Sequence, residues 1–217
     1  MNRHRMGRNR TMNSTARRCL TCLALSFGLA ACGSLNGNRS PATAIYDLGL
    51  PDAVPLQGTL LPASIEVRAP SWLAGNAMQY RLEYAQPSQR QAYAESRWAS
   101  PPAELVEVGL RRMLPPDGRS ACRLRLDLDE FTQVYGTHDG SQALVAARAE
   151  LLAPRGDTVL ARRDLRITEV APRPDASGGV VAHRTASRRL AEELAGWLAG
   201  IASAPNGGDA IQRACAR

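Results

Sequence analysis

The sequence predicts an α+β domain, an antiparallel sheet of about six to seven strands packed with two main helices and preceded by a cleaved signal peptide. Three observations predict it. The first 31 residues join a basic stretch to an uncharged apolar run that stops at a cysteine. Several later segments alternate apolar and polar residues with period two, the pattern of half-buried strands. Two others, one before the long strands and one near the end, carry apolar residues at helical spacing.

The leader comes first. MNRHRMGRNRTMNSTARR is basic, and CLTCLALSFGLAA (residues 19–31) is thirteen residues without a charge. That run is short for a permanent membrane helix and suits a cleavable signal. A start at Met12 would give MNSTARR followed by the same apolar run. Leu29-Ala30-Ala31-Cys32 resembles the bacterial lipobox, in which small residues precede a cysteine that is lipidated before cleavage. Cys32 is therefore expected to carry covalent diacylglycerol and an N-acyl chain, with no other cofactor. Three chains give stable anchoring where one is marginal. An ordinary secretory signal beside a cysteine is the competing reading. Residue 33 is glycine, not the aspartate that retains lipoproteins in the inner membrane of the systems this resembles, which points to the outer membrane, facing the periplasm. The expected organisation is signal peptide 1–31, a small, polar tether 32–43, a domain 44–203 and a tail 204–217.

Locating the charges removes the nucleic-acid reading. All 27 basic residues are arginine, giving a formal charge of +7, and six of them precede Cys32, where no acid occurs. Residues 32–217 keep 21 arginines against 20 acids, so no basic field remains to hold a polyanion. The absence of lysine also excludes Schiff-base chemistry.

Five cysteines then sort themselves. Cys19 and Cys22 fall in the discarded segment and Cys32 is acylated. Cys122 and Cys215 remain in an oxidising compartment, where a disulfide is expected. A buried free Cys122 with a frayed tail cysteine is the other reading.

In the domain, SIEVRA places Ile65, Val67 and Ala69 on one face, and AMQYRLEYA places Met78, Tyr80, Leu82 and Tyr84 on one face. A Pro/Gly-bounded APSWLAG joins them, and a further strand covers Gln91 to Trp98. Ser100 can cap a helix with Pro101 and Pro102 in its first turn, Val106, Leu110, Met113 and Leu114 as its buried stripe, and Pro115-Pro116-Asp117-Gly118 as its end. Cys122, Leu124, Leu126 and Leu128 then share a strand face. The phase changes at Phe131 and Tyr135, which predicts a bulge near Glu130. Turns at 137–140 and 154–157 make an antiparallel meander through 142–153 and 158–168. A long helix from about Gly179 to Ala202 closes the domain, with Leu190, Leu194, Trp197, Leu198 and Ile201 as its stripe.

Catalytic signals are thin. His138 reads as a turn residue and His183 lies near the start of the last helix. There is no GxSxG elbow, no HExxH, no metal-ligand spacing and no Gly-rich phosphate loop, so neither an enzyme nor a metal protein is expected. A periplasmic hydrolase would need one histidine in a cleft with a serine and a carboxylate. Trp197 reads as core and Trp98 as packed beside the first helix. Trp72, with Leu73 in the same loop, is the candidate partner contact.

Taken in order, Tyr46-Asp47-Leu48-Gly49 as an early strand, IEVRAPSWL, Met78 with Tyr80-Arg81-Leu82, and Tyr93 are similar to the ABC-type transport auxiliary lipoproteins. Ser96-Arg97-Trp98-Ala99 into Pro101-Pro102, LRLDLDEFTQVY and the terminal Trp197-Leu198 continue the resemblance, which spans nearly all of the chain after Cys32. It implies a non-enzymatic outer-membrane component of an MCE lipid-transport system. Its partners would be an MCE-domain protein with its permease and ATPase, and a capping role would favour a homo-oligomeric ring. A lipoprotein serving an envelope assembly machine, for lipopolysaccharide insertion or as a secretin pilot, is the alternative.

Overall fold

The computed structural model describes residues 42–55, 60–204 and 208–216. The lipobox Leu29, Ala30 and Ala31 and the lipidation site Cys32 lie outside the described residues.

Seven strands, β1 (Ala44–Tyr46), β2 (Ser64–Arg68), β3 (Ala77–Leu82), β4 (Gln86–Trp98), β5 (Arg123–Tyr135), β6 (Ser141–Leu152) and β7 (Val159–Val170), form a single sheet. Three helices accompany it, α1 (Pro102–Met113), α2 (Ala176–Ala202) and α3 (Gly208–Cys215). The spatial order is β1-β4-β3-β5-β6-β7, with β2 also paired to β5. The α+β class holds, but the sheet is mixed. The β5-β6-β7 meander and the β3-β4 hairpin are antiparallel, as expected, whereas β1 on β4, β2 on β5 and β3 on β5 are parallel. Parallel partners are set by long connections, and period-two patterning carries no information about direction.

β2 and β3 lie one after the other along the same edge of β5. β2 pairs with Arg123 to Asp127 and β3 with Gln133 to Tyr135. The stretch of β5 between them holds the bulge, with register shifting between Leu128 and Glu130 where the apolar phase changes. The far edge of β2 is covered by α1. Glu107 Oε2 accepts the Val67 N–H at 2.8 Å, and Arg111 Nη2 reaches the Ile65 carbonyl at 3.3 Å. A short strand's open edge is thereby closed to other chains.

Leu124, Leu126, Leu128 and Phe131 of β5 and Val145 of β6 turn inward onto Val106, Leu110 and Met113 of α1 and Leu190 and Leu194 of α2. Trp98 is buried against Phe131, with ring centroids 5.5 Å apart, whereas Trp197, expected in the core, is partly buried at its margin. On the opposite face of the sheet, Glu150 of β6 sits between Arg125 of β5 and Arg162 of β7, its opposite neighbours in register. Hydrogen bonds from Arg125 hold its carboxyl below the usual carboxylate range.

Several boundaries differ from the sequence reading. β1 ends at Tyr46 because Asp47 Oδ1 takes the Gly49 N–H at 2.8 Å and Gly49 adopts φ +70°, a turn where a strand was expected. β4 begins at Gln86, five residues early. Its first half is polar and exposed, and Pro87 is tolerated there because β1 reaches only Ser96 to Trp98. Pro101, not Ser100, is the N-cap of α1, and the Ser100 hydroxyl donates instead to the Glu104 carboxylate. α2 starts at Ala176, three residues early, capped by Asp175, whose Oδ1 accepts the Gly178 N–H at 2.7 Å. The presumed tail contains α3.

Candidate functional site

Residues 69–76 connect β2 to β3 beside the bulge of β5. Pro70 holds the extended conformation before a single 3-10 turn, Ser71–Leu73, which sends neighbouring side chains in opposite directions. Leu73 is 1 % exposed and packs in the core, whereas Trp72 is 53 % exposed. Of the two sequence candidates for partner contact, Trp72 is therefore on the surface. Leu73 is its inward anchor and is closed to a partner.

Trp72 is held in place. Its carbonyl accepts a hydrogen bond from Gln79 Nε2 at 2.6 Å, and the Arg90 guanidinium carbon lies 5.7 Å from its ring centroid. That is a cation–π distance. Arg90 is fixed in turn by Gln79 Oε1 at 3.1 Å, Thr132 Oγ1 at 3.3 Å and Glu130 Oε1 at 2.6 Å. Glu130 also pairs with Arg81 at 2.6 Å. Two arginines share one carboxylate, so the patch keeps a net positive charge beside an exposed indole. Aromatic and arginine side chains on a rigid base are the usual energetic centre of a protein interface. The sequence singled out Trp72 through its Pro/Gly-bounded loop. Arg81, Arg90 and Glu130 were missed because they come from three different strands, and only the bulge signal at Glu130 hinted at the place.

Cys122 and Cys215 form a disulfide with Cα atoms 4.8 Å apart. It joins the residue before β5 to the end of α3, beside a backbone hydrogen bond from Ala121 N–H to the Cys215 carbonyl at 2.7 Å. Leu60, Leu151 and Leu198 pack around it as a second small core.

Neither histidine assembles a hydrolytic site among the described residues. His138 stacks on Tyr84 in the β5–β6 turn, with ring centroids 4.2 Å apart. His183 is 2 % exposed, its ring 4.3 Å from that of Phe131 and 5.5 Å from that of Trp98. Nδ1 lies 2.8 Å from the Gly179 carbonyl. Burial lowers its pKa to about 4, so the ring is neutral. No His, Cys, Asp and Glu side chains among the described residues are grouped as metal ligands.

Residues 51–195 match the family model described as ABC-type transport auxiliary lipoprotein component. Comparison with curated proteins finds no match. Among solved structures, protein XCC0632 of Xanthomonas campestris is similar over 72 % of this chain and 95 % of its own, with 20 % identity and a TM-score of 0.61. An uncharacterized protein is similar over 72 % of this chain and 99 % of its own, with 15 % identity and a TM-score of 0.57. At those identities the two structures establish the shared fold. The family match spans well over half of the chain and includes β2 to β7, α1 and the Trp72 loop, and on that evidence the protein belongs to the ABC-type transport auxiliary lipoprotein family.

Proposed function

We propose that this protein is a non-catalytic accessory component of an MCE/ABC-type intermembrane lipid transport system. In this reading diacylglycerol and an N-acyl chain on Cys32 hold it in the outer membrane, and the domain links the periplasmic MCE-domain protein to that membrane. The family match over residues 51–195 carries the reading. The Trp72–Arg90 patch supports it as a fixed, exposed recognition surface, and His183 is buried and neutral.

Affinity capture of the acylated, membrane-anchored protein from envelope extract, with mass spectrometry of what accompanies it, tests the proposal. Recovery of an MCE-domain protein with its permease and ATPase is expected. Recovery of a β-barrel or a secretin without them would overturn the transport role and move the protein to envelope assembly. The native mass of the extracted protein tests the homo-oligomer that a capping role favours.

A further inference from the structure

A second surface, just after the chain's entry into the domain, carries its own signal. After β1 the chain buries Leu48, turns at Gly49 and sends Leu50 outward, 78 % exposed. Residues 48–52 run beside α2, where Val181, Arg184, Thr185 and Arg188 occur at i, i+3, i+4 and i+7, one exposed stripe. Between them lies an open groove of about 390 Å³. Leu50, Pro51 and Val181 (47 % exposed) supply apolar walls, and Arg184 and Arg188 supply guanidinium groups.

We propose that this groove is the face on which the domain rests against the membrane that holds its own anchor. Lipid phosphates sit on Arg184 and Arg188, and the edge of the acyl layer meets Leu50 and Val181.

Three observations select a lipid surface as the occupant. The first is charge. Arg184 makes no ion pair among the described residues, and Arg188 has only the exposed Glu192 at 3.0 Å. Asp52 is the one carboxylate in the walls. The balance is cationic, and planar guanidinium forks match phosphate oxygens. The second is shape. Leu50 and Val181 stand into solvent at the rim, whereas a small-molecule site encloses most of its ligand. Apolar side chains proud of a surface and flanked by arginine suit a headgroup boundary. The third is covalent position. Residues 33–43 alone separate Cys32 from β1, and Leu50 follows β1 by four residues. At about 3.5 Å per residue when extended, that tether limits the reach to roughly 40 Å. Within that radius even a weak surface contact is engaged for much of the time. The inference rests on the lipoprotein anchor and not on the transport role.

The test uses the acylated, processed protein that begins at Cys32 and so lacks Cys19 and Cys22. Cys32 is then blocked as a thioether and Cys122 is bonded to Cys215, so L50C or V181C supplies the sole reactive thiol for an environment-sensitive fluorophore. D164C on β7 serves as the control, its side chain being 78 % exposed. In vesicles of phosphatidylethanolamine and phosphatidylglycerol, emission from positions 50 and 181 is expected to shift to the blue and resist aqueous iodide, with no change at 164. Adding R184A or R188A lowers the docked-to-undocked ratio about fivefold each. Labels at 50 and 181 that stay as quenchable as the label at 164 would overturn the proposal. So would shielding that persists in detergent and rises with protein concentration, which would assign the groove to a second copy. An unacylated N-terminal peptide, read by mass, would instead remove the anchor and the inference together, an outcome distinct from loss of the transport partners.

Discussion

His183 fills a place between Trp98 and Phe131 that a charged ring cannot occupy without losing its hydration. Its folded value of about 4 lies below the ordinary 6.5, so below pH 6.5 the unfolded chain binds a proton that the folded chain refuses until near pH 4. The stability it contributes is complete above 6.5 and is lost as pH falls through that window, by about 3 kcal/mol in total. Denaturant titration of H183L between pH 7 and 4 should show a curve flatter than wild type by about that amount. A parallel curve would place the acid sensitivity elsewhere. Glu150 and Asp175 are held below the ordinary carboxylate range, by the Arg125 hydrogen bond and the Gly178 N–H respectively, so acid weakens the fold through them in the same direction. Gly179 is equally constrained, by space. A Cβ there would meet Gln133 Oε1 at 2.0 Å. Gln133 is already fixed by Tyr93, Ser141 and the Asp175 carbonyl, so it has little room to retreat. G179A is expected to destabilise the fold by about 1–3 kcal/mol, despite the higher helix propensity of alanine. Thermal melting checks the sign. The sequence showed this glycine pair only as a helix start, because its crowding depends on a glutamine 46 positions upstream.

Elements with their own periodicity were legible, and elements defined by a distant partner were not. β5 alternates up to its change of phase, and β5, β6 and β7 are joined by turns rich in glycine and aspartate, so strand, direction and bulge could all be read. The parallel pairing of β2 and β3 to β5 could not, because nothing local records which strand lies across a long connection. α3 is the clearest omission. Gly208–Cys215 has Ile211 and Cys215 as its main apolar positions, too little for a helical signal, and an isolated helix of that length is not stable in water. The disulfide to Cys122 and packing beside Ile201 and Ala202 hold it. The cysteines sit 93 residues apart, and closing a loop of that size contributes about 4 kcal/mol in the chain-entropy model. C215A should lower the unfolding free energy by up to that amount. Wild type measured in reductant should match C215A measured without it. If reductant leaves wild type unchanged, the bridge carries no stability, and α3 is held by packing alone.

For the molecule as a whole, the sequence could establish a helix-backed sheet, and it picked out one surface residue. It could not show that Trp72 stands on a lattice of Gln79, Arg81, Arg90, Glu130 and Thr132, since those residues meet only when β3, β4 and β5 lie side by side. That lattice makes the patch testable apart from the fold. Trp72 is more than half exposed, and its backbone contact to Gln79 survives truncation, so W72A should leave the melting temperature of the domain nearly unchanged. If the patch is the recognition surface, the same variant should weaken partner capture by tens of fold, the ordinary effect of removing a central indole. R90A should act in the same direction more weakly. It removes the cation beneath the ring and leaves Glu130 with Arg81 and the Thr132 hydroxyl as its remaining partners. Because Leu73 sits in the core one residue away, L73A would lower stability and capture together and cannot stand in for W72A. Full capture by W72A at an unchanged melting temperature would move the partner site off this loop, and the next surface to probe would be the open outer edge of β7.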